Sequence, residues 1–315
     1  MNARRVIIDV DVGTDDAVAI LLFLEADKLG EIKIEAFICT KGNASLDNVC
    51  RNLVRLLEYA DRTDIPVFRG SFHQILPLQN THSVFHGNDG FGDLKYQEEP
   101  DLNIIKKDIA SVGMQNIVSK NPGEISLICL GPLTNAAITM RMFDDFSRNL
   151  KDMYIMGGNI HGVGNTTQSA EFNFFIDPEA ASIVFDCAQC PIYLLPWETC
   201  KSSTITFKWR YEVLGKMGGK LWKLIDSAEK SVYGEPTKQE IWMPCDAFLA
   251  LSFLHPQKAV VKSRKEHVSI ELHGRKTRGQ AVLDHLSQNQ ANAVLIEEVN
   301  NTLMKEILMR ACQNV

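Results

Sequence analysis

The 315-residue chain has no run approaching the eighteen or so apolar residues of a membrane-spanning helix, so no span is expected. It also lacks a basic excess. Its 33 Lys and Arg stand against 39 Asp and Glu, a formal net charge of −6. A phosphate backbone needs a basic surface to neutralise it, which excludes nucleic acid as the main partner. After Met1 the chain passes through Asn2-Ala3-Arg4-Arg5 into an apolar stretch, with no signal-peptide core or cleavage site, so a cytoplasmic protein is expected. Without a secretory context the eight cysteines have no disulfide framework to build. Cys187-Ala188-Gln189-Cys190 is an isolated C-x-x-C, lacking a second pair for zinc and a thioredoxin-like setting, and reads as reduced structural thiols. Repeats, linkers and low-complexity tracts are missing too. One domain over residues 1–315 is the simplest organisation.

What is present is acid, concentrated near the start. Asp9, Asp11, Asp15 and Asp16 put four carboxylates into eight residues. Val6 to Val10, β-branched apart from Asp9, read as a short buried strand. Ala17, Ile20, Leu21 and Leu24 then recur at helical spacing, which makes Gly13-Thr14 the strand-to-helix turn. The acids therefore gather at the carboxyl end of a strand, where open α/β sheets place their ligands. A helix dipole favours acids there by only ~0.3–1 kcal/mol each. Two unit charges ~5 Å apart at an effective dielectric of ~20 repel by about 3 kcal/mol. The cluster thus calls for a bound cation or raised pKa values. All-oxygen donors point to Ca²⁺ or Mg²⁺.

Strand and helix patterns alternate through most of the chain. Strands are expected at 6–10, 32–40, 66–68, 125–130, 153–156 and 191–195, and helices at 46–59, 105–119, 178–186, 245–254 and 300–312. Residues 70–100 lose periodicity and carry His73, His82, His86 and Gly87-Asn88-Asp89-Gly90-Phe91-Gly92, the composition of a lid over a site. Short strands near Val260 and over 268–272 suggest an antiparallel appendage, with further strands at 281–283 and 293–295. The fold class is α/β, a mostly parallel sheet with helices on both faces.

Asp9-Val10-Asp11-Val12-Gly13-Thr14-Asp15-Asp16-Ala17 resembles the amino-terminal signature of the nucleoside hydrolases, the inosine–uridine preferring nucleosidases. The likeness continues in order through Lys41-Gly42-Asn43, Gly131-Pro132-Leu133-Thr134-Asn135, Met156-Gly157-Gly158 and Ala170-Glu171-Phe172-Asn173, then Ile176-Asp177-Pro178, Asp246 and Gly274-Arg275-Lys276-Thr277-Arg278-Gly279. The resemblance implies a tightly bound Ca²⁺ and hydrolysis of ribonucleosides to ribose and free base in nucleoside salvage. It assigns Asp11, Asp15, Asp16, Asp246 and the Leu130 carbonyl to the metal, with Asp9 supporting them. It assigns Asn43, Asn165, Glu171, Phe172, Asn173 and Met156 to the substrate, and it suggests a homodimer or homotetramer. The chemistry agrees. Glycosidic cleavage builds positive charge on the anomeric carbon, which carboxylates stabilise, and Asp11 can serve as general base.

Two positions depart from the family pattern. Many members have Pro where this chain has Val12, a change expected to affect turn rigidity rather than chemistry. Cys245 stands where the best-known members carry a His that protonates the departing base. A thiol is a weak donor, so His82, His86 and Tyr233 become alternative donors, and Trp242, Phe85 or Phe91 could hold the base by stacking. Two rival readings remain. One is a phosphatase of the Asp-x-Asp type, although Gly13 occupies the place where that motif wants Thr or Val. The other is a nucleoside- or ribose-binding protein that keeps the metal site without turnover.

Overall fold

In the computed structural model, which describes residues 3–76, 84–234 and 240–315, the chain forms β1 (Arg4–Val10), β2 (Ile32–Cys39), β3 (Val67–Arg69), β4 (Ile105–Ile109), β5 (Ile125–Cys129) and β6 (Asp152–Met156). These are followed by β7 (Ile192–Leu195), β8 (Val260–Glu266), β9 (Val268–Ile270), β10 (Ala281–Leu283) and β11 (Ala293–Val299). Nine of them make one sheet in the order β4-β3-β2-β1-β5-β6-β7-β11-β8, while β9 and β10 pair separately and antiparallel. Every neighbour in the large sheet is parallel except β8 on β11.

β1 is the fourth of the nine strands in this order, flanked by β2 and β5, and is buried from Val6 to Val10. Its alternating side chains feed two cores. Val6, Ile8 and Val10 join the core under helices Thr14–Lys28, Leu46–Tyr59, Lys220–Tyr233, Cys245–Leu254 and Asn301–Asn314. Ile7 joins the opposite core, under Ala110–Ser119, Thr134–Met142 and Pro178–Cys187, which also takes in Val268, Ile270, Ala281 and Leu283 from β9 and β10. Burial on both faces explains why Val6–Val10 and β5 are largely apolar, while Lys33 and Glu35 mark the less buried start of β2.

Local chemistry sets several helix starts. Ser45 accepts the amide of Asn48, Asp177 accepts that of Ala180 ahead of Pro178, and Asn300 accepts those of Thr302 and Leu303. The stretch expected to be one helix over 105–119 is instead β4 followed by the helix Ala110–Ser119. β4 is an edge strand with little burial, so no apolar alternation announces it. The appendage is β9–β10 alone, because β8 adds to the edge of the large sheet. Among the described residues no helix is long and apolar enough to cross a membrane.

Candidate active site

The site lies beyond the carboxyl ends of β1, β2, β5 and β6. β1 ends at Val10, and a three-residue turn leads into helix Thr14–Lys28. Asp16 ties this turn together: its Oδ1 accepts the amide of Asp11 (3.2 Å) and its Oδ2 that of Gly13 (2.8 Å). Val12 is fully buried at φ +25°, a conformation β-branched residues rarely adopt. A proline ring locks φ near about −65° and could not follow this path.

One carboxylate oxygen from each of Asp15, Asp16 and Asp246 lies within 4.8 Å of the other two. Asp246 arrives on the first turn of helix Cys245–Leu254. Asp11 stands beside this trio rather than in it, its Oδ2 accepting the amide of Asn43 (2.8 Å). Gly42 and Gly131 make room for that carboxylate: a Cβ on either would stand 2.8 Å from Asp11 Cγ. Burial pushes the Asp16 carboxyl up to about 7, with Asp15 adding to the effect. Burial and neighbouring acids likewise raise Asp11 and Asp246 well above the carboxylate range. Asp15 Oδ1 is buried without a hydrogen-bond partner among the described residues. A hard divalent cation fits this donor set, because it would neutralise the mutual repulsion and give that oxygen a partner.

Behind the trio, Asp9 is fully buried. It accepts from the Thr40 hydroxyl and from Asn135 Nδ2 (3.2 Å), and burial raises it to about 7 despite those bonds. The Leu130 carbonyl follows β5 and accepts Asn173 Nδ2 at 2.7 Å, leaving its second lone pair available. Asn173 Nδ2 also reaches the Met156 carbonyl at 3.1 Å. Glu171 caps helix Phe172–Ile176, accepting the amides of Asn173 (2.9 Å) and Phe174 (3.2 Å) and also that of Gly158 (2.7 Å). Burial still lifts its carboxyl to about 7. Asn165 Oδ1 accepts the amide of Phe172 (2.9 Å), closing the loop around the same wall.

These groups line one cavity of about 430 Å³. Its floor holds Asp11, Asp15, Asp246 and Leu130, and its polar wall Asn43, Asn165, Glu171 and Asn173. Met156, Phe172, Tyr233 and Cys245 line it as well. Phe85, Trp197, Phe207, Ile241 and Met243 supply an aromatic and apolar lining, and His86 lines the cavity with its Nε2 3.6 Å from Asp15 Oδ1. Tyr233 packs on Phe207 (ring centroids 4.9 Å apart) and edge-on against Phe85 (6.0 Å).

His86 is held by the glycine-rich segment that follows it. Gly92 donates its amide to the His86 carbonyl (2.7 Å), Asp89 Oδ1 accepts the amides of Phe91 and Asp93, and Gly87, Gly90 and Gly92 all take positive φ. Phe91 plugs this turn into the core and is fully buried, so it offers no face to the cavity. Trp242 does not face the cavity either. It is fully buried behind Ile241 and Met243, with Nε1 donating to Glu229 Oε1 (2.8 Å), and Glu229 in turn pairs with the buried Arg210. His82 lies outside the described residues. The Cys245 thiol donates to the Met243 carbonyl at 3.5 Å, and contact with Cys200 followed by burial raises its pKa well above the usual thiol range.

Sequence reasoning missed Trp197, Phe207, Ile241 and Met243. All four fall where helical periodicity breaks up between 197 and 245, so nothing in the pattern separated a cavity wall from a core face.

Comparison with known proteins gives concordant matches. The family model described as inosine-uridine preferring nucleoside hydrolase covers residues 6–306. The chain is 37% identical over 186 residues to a probable uridine nucleosidase 2 of Oryza sativa subsp. japonica, 58% of this chain and 53% of that protein. The match thus spans about half the length of that relative. Over 319 residues it is 29% identical to the pyrimidine-specific ribonucleoside hydrolase RihA of Enterobacter sp. (strain 638), covering 97% and 96% of the two chains. A solved inosine-guanosine nucleoside hydrolase superposes with a TM-score of 0.88 at 28% identity, over 98% of each chain.

Proposed function

The chain belongs to the inosine-uridine preferring nucleoside hydrolase family, and from that premise we propose that it cleaves the N-glycosidic bond of ribonucleosides to give ribose and free base. The observation that carries this reading is the meeting of a buried acid cluster and an aromatic wall in one cavity of nucleoside-compatible size. The acids and the four amide or carboxyl side chains of the polar wall suit a ribose, and the aromatic rings suit a base.

Asp15, Asp16, Asp246 and the Leu130 carbonyl would hold a calcium ion, with Asp11 at its border. When bound, that ion supplies charge neutralisation and Lewis acidity at the sugar end of the cavity. Asp11 takes a proton from the water that attacks the anomeric carbon. The carbon–nitrogen bond breaks as the carbon–oxygen bond forms, and its electron pair leaves with the base. The buried carboxylates stabilise the cationic sugar in between. Proton donation to the base falls to His86 rather than Cys245, whose S–H is directed at a backbone carbonyl. His86 stands between the Asp15 carboxylate, 3.6 Å from its Nε2, and the ring of Phe85, 4.9 Å away between centroids. That is the junction of the sugar and base ends. Cytoplasmic salvage and homo-oligomeric assembly belong to the same proposal.

Incubation with inosine and with uridine, scored for reducing sugar and free base together, tests the reading. Saturable binding without either product would make the protein a nucleoside binder. Phosphate release from a monoester without nucleoside cleavage would make it a phosphatase.

A further inference from the structure

An imidazole donates from Nε2 only when Nδ1 is kept as the acceptor. Nδ1 of His86 lies 3.2 Å from the amide nitrogen of Thr14 and 3.0 Å from its Oγ1. The amide can only donate, so Nδ1 must accept and the ring proton belongs on Nε2. Thr14 is fully buried, opens helix Thr14–Lys28, and its amide is one of the first-turn donors that the helix itself leaves unpaired. With Nδ1 held as an acceptor, the Thr14 hydroxyl can only donate to it, so side chain and backbone of one residue address the same ring nitrogen. Gly13 completes the seat: a Cβ there would stand 2.9 Å from Cδ2 and Nε2 of the imidazole, so the ring rests against bare backbone.

We propose that Thr14 is a positioning residue for cleavage, its amide and hydroxyl together seating His86 through Nδ1 so that the imidazole proton stays on Nε2 and faces the departing base. The proposal rests on the nucleosidase reading above. It goes beyond it by making the leaving-group step depend on a residue that does not line the cavity. Thr14 acts only through His86, so its influence must scale with how much help the leaving group needs.

The test compares wild type, Thr14→Val, Thr14→Ser and His86→Gln on inosine and on a nitrophenyl riboside, whose leaving group departs without a proton. Thr14→Val is expected to lower kcat on inosine about three- to tenfold, the loss of one hydrogen bond, with KM nearly unchanged and the nitrophenyl riboside cleaved at the wild-type rate. Thr14→Ser restores inosine turnover. Long-range ¹H–¹⁵N spectra, with the His86 signal assigned by its disappearance in His86→Gln, show the Nε2–H tautomer in wild type and also in Thr14→Val, whose backbone amide still donates to Nδ1, with the Nδ1 resonance displaced only in Thr14→Val because the hydroxyl donor is gone. Equal slowing of both substrates by Thr14→Val, failure of serine to rescue, or an Nδ1–H form in wild type overturns the proposal. Failure of the underlying reading looks different. Wild type would then release no ribose from inosine, or His86→Gln would cleave inosine as fast as wild type.

Discussion

Gly42 stands so close to Asp11 that the two positions form one unit: the space a Cβ would need at Gly42 is filled by the Asp11 carboxylate, with Cγ only 2.8 Å away. Gly131 presses from the other side at the same distance. The proposed base is thus clamped between two stretches of bare backbone, and its orientation needs no lysine or arginine. Gly42→Ala is expected to displace the carboxylate and cut kcat on a nucleoside at least tenfold. Far-ultraviolet circular dichroism should show the fold unchanged.

Asp11 lies beside the Asp15, Asp16 and Asp246 oxygens rather than among them. Asp11→Ala is therefore expected to lower kcat by about 10²- to 10⁴-fold, the usual worth of a general base, while calcium still binds. Titration calorimetry beside steady-state kinetics separates the two effects. Loss of calcium binding together with activity would place Asp11 in the metal site proper.

Asp15→Asn and Asp246→Asn each remove one charge from the trio and should weaken calcium by at least tenfold, with activity restored only at raised calcium. Chelation of the wild-type protein should abolish turnover reversibly. Asp15 is expected to be the more sensitive of the two, because its buried Oδ1 accepts no hydrogen bond among the described residues and has His86 Nε2 no nearer than 3.6 Å.

Trp242→Phe keeps most of the buried ring but deletes the bond from Nε1 to Glu229. Leaving that carboxylate one donor short in the core should cost about 1–3 kcal/mol of stability, read from the urea midpoint. Calcium affinity should not move, because Trp242 lies behind the cavity wall.

Glu35 on β2 supplies a pH dependence away from the site. Burial opposes its charge, but Arg5, whose Nε donates to it at 2.7 Å, and Lys33 more than reverse this and hold the carboxyl below its ordinary range. A folded pKa below the unfolded value means the stabilisation is complete above about pH 4.3 and is lost as pH falls through the folded value. The stability difference between wild type and Glu35→Gln should therefore be largest near pH 7 and shrink towards pH 3. A constant gap across that range would contradict the assignment.

How legible each part was follows from where its signal resides. β5 announced itself because burial on both faces leaves it almost wholly apolar, and the acid cluster because its repulsion has no local remedy. β4 was hidden because an exposed edge strand has no apolar face to display. Trp242 and Phe91 misled because an aromatic beside a polar loop reads alike whether it faces substrate or core. Their burial is decided by partners far away in sequence, Glu229 for Trp242 and the core beneath the glycine turn for Phe91. The Thr14–His86 contact joins residues 72 positions apart, and no spacing rule reaches that far.

Much of the cavity's apolar wall has one origin along the chain. Trp197, Phe207, Tyr233, Ile241 and Met243 all come from the irregular helical stretch between β7 and helix Cys245–Leu254, whereas Asp11, Asn43, Leu130 and Met156 sit just past or at strand tips. On the proposed reading, drift within that stretch would remodel the nucleobase chamber while the pentose anchor stays constant, so relatives with one shared sugar chemistry would be free to diverge in diet.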